Sequence, residues 1–332
     1  MKRALVVGID RYSDPTLPSL AGCENDAVSM SGVLRKNGDG SPNFSVKTLS
    51  SDSETVTSAI LTDAIGKLFE GDADTVLFFF AGHGFVDPKS KGGYIVAQDG
   101  KQGAWGVTLT DIIAQANKAY PNIKSTVIIL DSCQSGAAGE IQVLGDTDTA
   151  AIGSGVTILT ACRRDGTAAE GSGHGLFTSL VLEGLEGTSA DVLGRITPAS
   201  IYSLIDQTLG DWEQRPLYKA NVQTFIALRN VAPKVELETL RRLPEFFPNE
   251  GDVFNLDPSF EPERGEEAAK LAHIPVDKTR VTEYRQMQSM NRHGLIVPVD
   301  QPHMWHAAVH STGCKLTALG AHYRRLAEKD RI

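Results

Sequence analysis

The chain has 332 residues, 41% of them hydrophobic and 22% charged, with 32 basic against 41 acidic side chains. That is enough for one large α/β domain and a smaller module, too apolar for a disordered chain, and too acidic for nucleic acid as the main partner. No apolar run nears the ~20 residues of a membrane-spanning helix, and the four cysteines, at 23, 133, 162 and 314, form neither a disulfide framework nor a zinc ribbon. The short apolar stretch after Met1-Lys2-Arg3 runs into polar sequence too soon for a secretory signal. A cytoplasmic protein with reduced thiols and no membrane contact is expected.

In chain order, segments 4–9, 45–49, 75–81, 125–130 and 156–160 have the near-continuous hydrophobicity of strands buried on both faces. The stretches between and after them, 25–36, 53–69, 108–118, 176–186 and 198–209, fit helices, with 223–228 as a candidate last strand. The expected fold is an α/β/α sandwich around a mostly parallel sheet, over residues 1–233. Residues 234–267 carry 4 basic against 10 acidic side chains with repeated prolines, and read as an extended linker. Residues 268–332 reverse the balance, 10 basic against 5 acidic, and hold six of the eight histidines. A helix over 278–291, two short strands and a helix over 318–329 give the order of a small α+β, winged-helix-like module, suited to a protein partner or activator. His303, His306, His310 and Cys314 could ligate zinc, but their segment reads better as a strand.

Function in doubly wound sheets gathers at the carboxyl ends of the strands. Two strands here end in unusual sequences, Ala81-Gly82-His83-Gly84 and Asp131-Ser132-Cys133-Gln134-Ser135-Gly136. A thiol nucleophile needs a neighbouring base, because a free cysteine has a pKa near ~8.5. Adjacent parallel strands would bring His83 and Cys133 to one edge, with the backbone N–H groups of Gly84 and Cys133 as an oxyanion hole. Singly, each residue reads more simply as a buried thiol or a structural histidine. Together, each in a glycine-flanked strand end, they read as a catalytic pair.

These two motifs resemble those of the caspase-like cysteine peptidases (peptidase family C14), nearest to the metacaspases and bacterial caspase-like proteins. The segment 22–27, Gly-Cys-Glu-Asn-Asp-Ala, and residues 161–168 and 175–178 match further family segments. The resemblance covers residues 1–230. It implies a caspase–haemoglobinase fold and a dyad of His83 and Cys133 in an endopeptidase acting in bacterial stress or defence signalling. It also implies a primary pocket lined by Asp26 and Asp131 beside Cys23.

The charge argument agrees. A carboxylate two residues before the nucleophile raises the thiol pKa, a conflict that a substrate Arg or Lys would relieve and a substrate Asp would worsen. The other reading of Asp131 is a strand-end cap. No cofactor is expected, although Asp87 and Asp99 leave calcium dependence open. His174, in a Gly-rich loop, could border the cleft, while Trp212, Glu213 and Gln214 have no assignment.

Two other functions compete with peptidase activity. One is a catalytically idle adaptor, disfavoured by the intact set of four residues. The other is a DNA-binding regulator acting through the tail, disfavoured by the acidic linker. Residues 134–162 contain no Lys or Arg, so an enzyme specific for basic residues could not cut itself there. Self-cleavage is expected, if anywhere, near Arg241-Arg242, unless these arginines sit on a short helix.

Overall fold

The computed structural model describes residues 1–86, 92–134, 152–161, 173–210 and 215–332, with Cys133 and Gln134 described by backbone alone. Asp87, Cys162, Arg163, Arg164 and the Trp212-Glu213-Gln214 segment lie outside the described residues. The chain divides into two compact units, Met1–Ala232 and Pro233–Ile332.

The first unit runs β1 (Lys2–Gly8), α1 (Cys23–Arg35), β2 (Phe44–Ser50), α2 (Ser58–Leu68), β3 (Ala73–Val86), β4 (Gly93–Lys101), β5 (Ala104–Thr108), α3 (Leu109–Ala119) and β6 (Ile123–Gln134). It continues through β7 (Val156–Thr160), α4 (Leu176–Glu183), β8 (Arg195–Ile196), α5 (Pro198–Thr208), β9 (Leu217–Ala220) and β10 (Arg229–Asn230). The main sheet has the order β2-β1-β3-β6-β7-β9, with β4 paired to β3 and β5 to β4. β2, β1, β3, β6 and β7 are mutually parallel, whereas β9, β4 and β5 join antiparallel.

Successive residues of β3 point to opposite faces, so its run of three phenylalanines serves two cores. Phe78 and Phe80 pack with Leu61 and Ile65 of α2 and Ile112 of α3. Phe79 packs with Met30 of α1, Val181 of α4 and Ile201 of α5. All three rings are fully buried, each contributing about 1.5–3 kcal/mol of apolar transfer. The sandwich therefore follows from strands that are apolar on both sides.

Several boundaries differ from expectation. α2 starts after Thr57, whose side chain accepts from Ile60 N, and not at Ser53. The residues before it turn back instead, Ser53 N and Glu54 N donating to Ser50 O, and the N–H of buried Val56 donates to Gln98 Oε1. The 223–228 segment is not a strand; that edge is taken by β9. Neither the β4–β5 hairpin nor the extension of β3 and β6 beyond residues 81 and 130 was signalled by hydrophobicity.

The second unit contains α6 (Leu237–Arg241), α7 (Leu243–Phe246), β11 (Val253–Phe254), α8 (Lys278–Arg292), β12 (Ile296–Pro298), α9 (Met304–Val309), β13 (Cys314–Leu316) and α10 (Ala318–Glu328). Residues 234–267 are thus not an extended linker. Leu240, Leu243 and Phe247 are fully buried, and β11 is an edge of the sheet β11-β13-β12. The prolines punctuate short helices instead of preventing structure. Arg241, although exposed, closes α6, and Arg242 is tied to Glu245, Glu283 and Gln286 while stacking on Phe246, so the pair sits on short helices and not in an extended segment.

The segment read as a strand around Trp305 is α9, which separates β12 from β13, so these two strands are not joined as a simple hairpin. Among the described residues no group of three or more His, Cys, Asp or Glu is placed to hold a metal ion, and no helix is long and apolar enough to cross a membrane.

Candidate active site

The site lies where the sheet narrows. β1 ends with Gly8 beside Ala81, and β7 ends with Thr160 beside Leu130, but β3 and β6 continue together. In that extension His83 is the register partner of Cys133, and Gly84 that of Gln134. Gly84 is also in register with Ile95 of β4. His83 and Cys133, just past the strand segments expected at 75–81 and 125–130, therefore sit on strands that run further than expected.

His83 is 3% exposed. Its Nε2 lies 2.8 Å from the carbonyl oxygen of Pro18. A carbonyl can only accept, so Nε2 carries a proton, and in the neutral ring the lone pair is on Nδ1. Nδ1 is buried without a hydrogen-bond partner among the described residues. Tyr12 fixes the other side. Its hydroxyl accepts from His83 N at 2.7 Å and donates to Ile9 O at 3.1 Å, and its ring lies 4.7 Å from the imidazole.

The flanking glycines are explained by these neighbours. A Cβ on Gly82 would come within 2.8 Å of the Tyr12 hydroxyl, and one on Gly84 within 3.0 Å of Ser132 Oγ. The close approach is made by the protein's own side chains.

The helix starts bring in the acids. α1 and α4 begin after Gly22 and Gly175, neither of which supplies a side-chain cap. A strand end caps each helix instead. Asp10, after β1, accepts from Cys23 N at 2.9 Å and from Gly22 N and Glu24 N at 3.4 and 3.3 Å. Asp131, on β6, accepts from Thr178 N at 3.2 Å and Thr178 Oγ1 at 2.7 Å. Carboxylates are favoured at helix N-termini, where unpaired N–H groups converge. The capping role weighed for Asp131 in the sequence is therefore present in the structure.

Asp26, in the first turn of α1, is 2% exposed and pairs with His174 Nδ1 at 2.8 Å. Burial is the main reason its carboxyl is raised from the usual range to about 6; the His174 hydrogen bond opposes the shift and the Asp131 charge adds to it. Cys23 is partly buried, and desolvation, then Asp10, push its thiol strongly up. Asp131 and Asp26 add smaller contributions, so Cys23, Asp26 and Asp131 are neighbours. Such a thiol is a packing group and not a nucleophile.

Asp99 is engaged elsewhere, accepting from Ser58 N and Oγ at the start of α2. Pro18, Tyr12, Asp10 and Thr178 were not found from sequence. Pro18, and Thr178 in part, act through backbone groups that no residue pattern reveals, while His174 was visible in its glycine-rich setting.

The doubly wound sheet thus places a histidine and a cysteine in register on its two central strands, with buried acids nearby, an arrangement of residue types suited to thiol chemistry. The sequence matches the Caspase domain model (Peptidase_C14) over residues 1–223, and the chain belongs to that family of cysteine peptidases. Among solved structures, a Geobacter sulfurreducens protein, GSU0716, is similar at 19% identity and a TM-score of 0.50, over 70% of this chain and 97% of its own. Caspase-1 from Spodoptera frugiperda is similar at 15% identity and a TM-score of 0.49, over 69% of this chain and 90% of its own. No curated protein sequence is significantly similar.

Proposed function

We propose that the protein is an endopeptidase in which Cys133 attacks the scissile carbonyl and His83 carries the proton. The observation that bears most on this is the buried His83. Its Nε2–H is anchored on Pro18 O, its Nδ1 is unpartnered among the described residues, and its backbone is in register with Cys133. Nδ1 would take the thiol proton as sulfur bonds to the carbonyl carbon. The oxyanion would be held by the N–H groups of Gly84 and Cys133. His83 would then return the proton to the departing amine, leaving an acyl-enzyme for water to hydrolyse.

The pairing of buried Asp26 and Asp131 favours substrates with Arg or Lys before the scissile bond, because a cation lowers the cost of two neighbouring carboxylates. The second unit is the natural place for the partner that controls such an enzyme. Cys133→Ala should abolish cleavage, and His83→Ala should reduce it ~10²–10⁴-fold, with a single cooperative thermal melt retained in both. The assay is digestion of a diverse peptide library. Full activity in either variant refutes the dyad, and a library preference for Asp refutes the basic pocket.

A further inference from the structure

Gly173, His174 and Gly175 form a strap that enters α4 across the first turn of α1. Asn25 Nδ2 donates to Gly173 O at 3.3 Å, His174 Nδ1 meets Asp26 Oδ1 at 2.8 Å, and the Gly175 N–H also donates to Asp26. The fit is close. Gly22, at φ +125°, is in the left-handed region, and a Cβ there would approach Gly173 O to 3.1 Å. The two members of the pair differ in access: the His174 side chain is 25% exposed and that of Asp26 only 3%. One edge of the imidazole therefore reaches the surface while the acid lies beneath it.

A buried carboxylate beside a second carboxylate needs donors. Here His174 and the Gly175 amide supply them. If Asp26 lies in the pocket for a basic substrate side chain, the imidazole occupies one of the oxygens that the incoming cation would use. A neutral imidazole offers a single N–H, whereas a guanidinium offers five and full charge, so exchange favours the substrate.

We propose that His174 is an internal occupant of the basic-residue pocket, held on Asp26 in the resting protein and displaced by the substrate's guanidinium or ammonium group. This rests on the reading of the site as specific for Arg or Lys. The displaced imidazole has somewhere to go. It already lines a groove of about 580 Å³ between α1 and α4 whose walls include Glu183 and Glu186. His174 is thus a specificity-determining residue that reduces apparent affinity for basic side chains by the fraction of molecules in which the pocket is free.

The test uses the full-length protein with two readouts. One is steady-state cleavage of a peptide with Arg before the scissile bond. The other is binding of benzamidine, an arginine-like probe, to Cys133→Ala. His174→Ala should lower KM and the benzamidine Kd about 3–10-fold, with the change on KM and not on kcat. His174→Arg, which places a permanent cation on Asp26, should raise both by about tenfold or more. Opposite shifts from two substitutions of one residue are not what a purely structural role produces, and His174→Arg serves if His174→Ala does not fold. If wild type cleaves after Arg but both variants match it, or if His174→Ala binds more weakly, the internal occupant is refuted and the basic pocket stands. If wild type neither cleaves after Arg or Lys nor binds benzamidine, with or without His174, both readings fall.

Discussion

Both units bury charge, but they use it differently. In the first, the buried ionisable groups Asp10, Asp26, His83 and Asp131 all lie at the carboxyl edge of the sheet. Among the described residues, His83 has one buried nitrogen unpartnered, and Asp26 shares its carboxylate with a loop histidine that is one quarter exposed. In the second unit the buried Arg264 and Arg324 are bonded to backbone carbonyls. Arg264 reaches those of Pro258, Glu261, Leu271 and Ile274, and Arg324 those of Phe247 and Pro248, with Glu328 one turn on as its additional side-chain partner. Backbone acceptors cannot leave without unfolding the turn, whereas side-chain partners can exchange with a ligand. Burial alone does not mark a site; the replaceability of the partners does.

The largest effect expected from this contrast is in the second unit. Arg264→Ala leaves the four carbonyls without their donor, and should cost about 3–5 kcal/mol. Limited proteolysis of the full chain should then cut within residues 258–274 while residues before 233 stay protected. If cutting in the first unit rises equally, the two regions are not separable in this way.

A smaller effect is expected at Asp26. Its folded-state pKa, about 6, lies above the ordinary 3.8, so the folded protein holds this proton more tightly than the unfolded chain does. The stability from that proton is complete below about pH 4 and is lost as pH rises through about 6. Asp26→Asn should therefore gain on wild type between pH 4 and pH 7, by a few degrees in Tm. In activity the sign reverses: the anion is needed for a basic substrate, so kcat/KM on Arg peptides should fall in wild type as pH drops through about 6. A difference in Tm that is the same at both pH values would mean that Asp26 is not strained by burial.

The smallest effect belongs to Tyr12. Tyr12→Phe keeps the ring against His83 but removes the hydroxyl that joins His83 N to Ile9 O. A loss of about 1 kcal/mol, or several-fold in kcat, is expected, with KM unchanged. A change in KM instead would make Tyr12 part of the substrate pocket.

How far the sequence foretold this depends on the kind of interaction. Four of the five parallel strands were legible because burial on both faces leaves apolar runs such as 76–81 and 127–130, whereas β2 is exposed along its middle and carries only a broken one. The β4–β5 hairpin was not, since Gly93, Gly100, Gly103 and Gly106 interrupt its pattern. α9 was mistaken for a strand because a six-residue apolar run has too little length to reveal its period. Residues 234–267 were taken as a linker on their charge and prolines, although Leu240, Leu243, Phe246 and Phe247 carried a core signal. At the site, the reactive side chains were readable and their anchors were not. Pro18 contributes a carbonyl oxygen and Thr178 in part a backbone N–H, and those depend on where the chain passes and not on which residue it carries.

The forward reach of β3 and β6 has a mechanical consequence. Along β6, residues from Thr126 to Leu130 are held between β3 and β7, whereas among the described residues those from Asp131 to Gln134 pair only with β3. One strand thus passes from a clamped stem to a tip gripped on one side. The stem fixes the direction in which Cys133 is delivered, and the tip can yield locally without loosening the core. Stiffness graded along a single strand lets the same segment act as a rigid bracket at one end and a compliant jaw at the other.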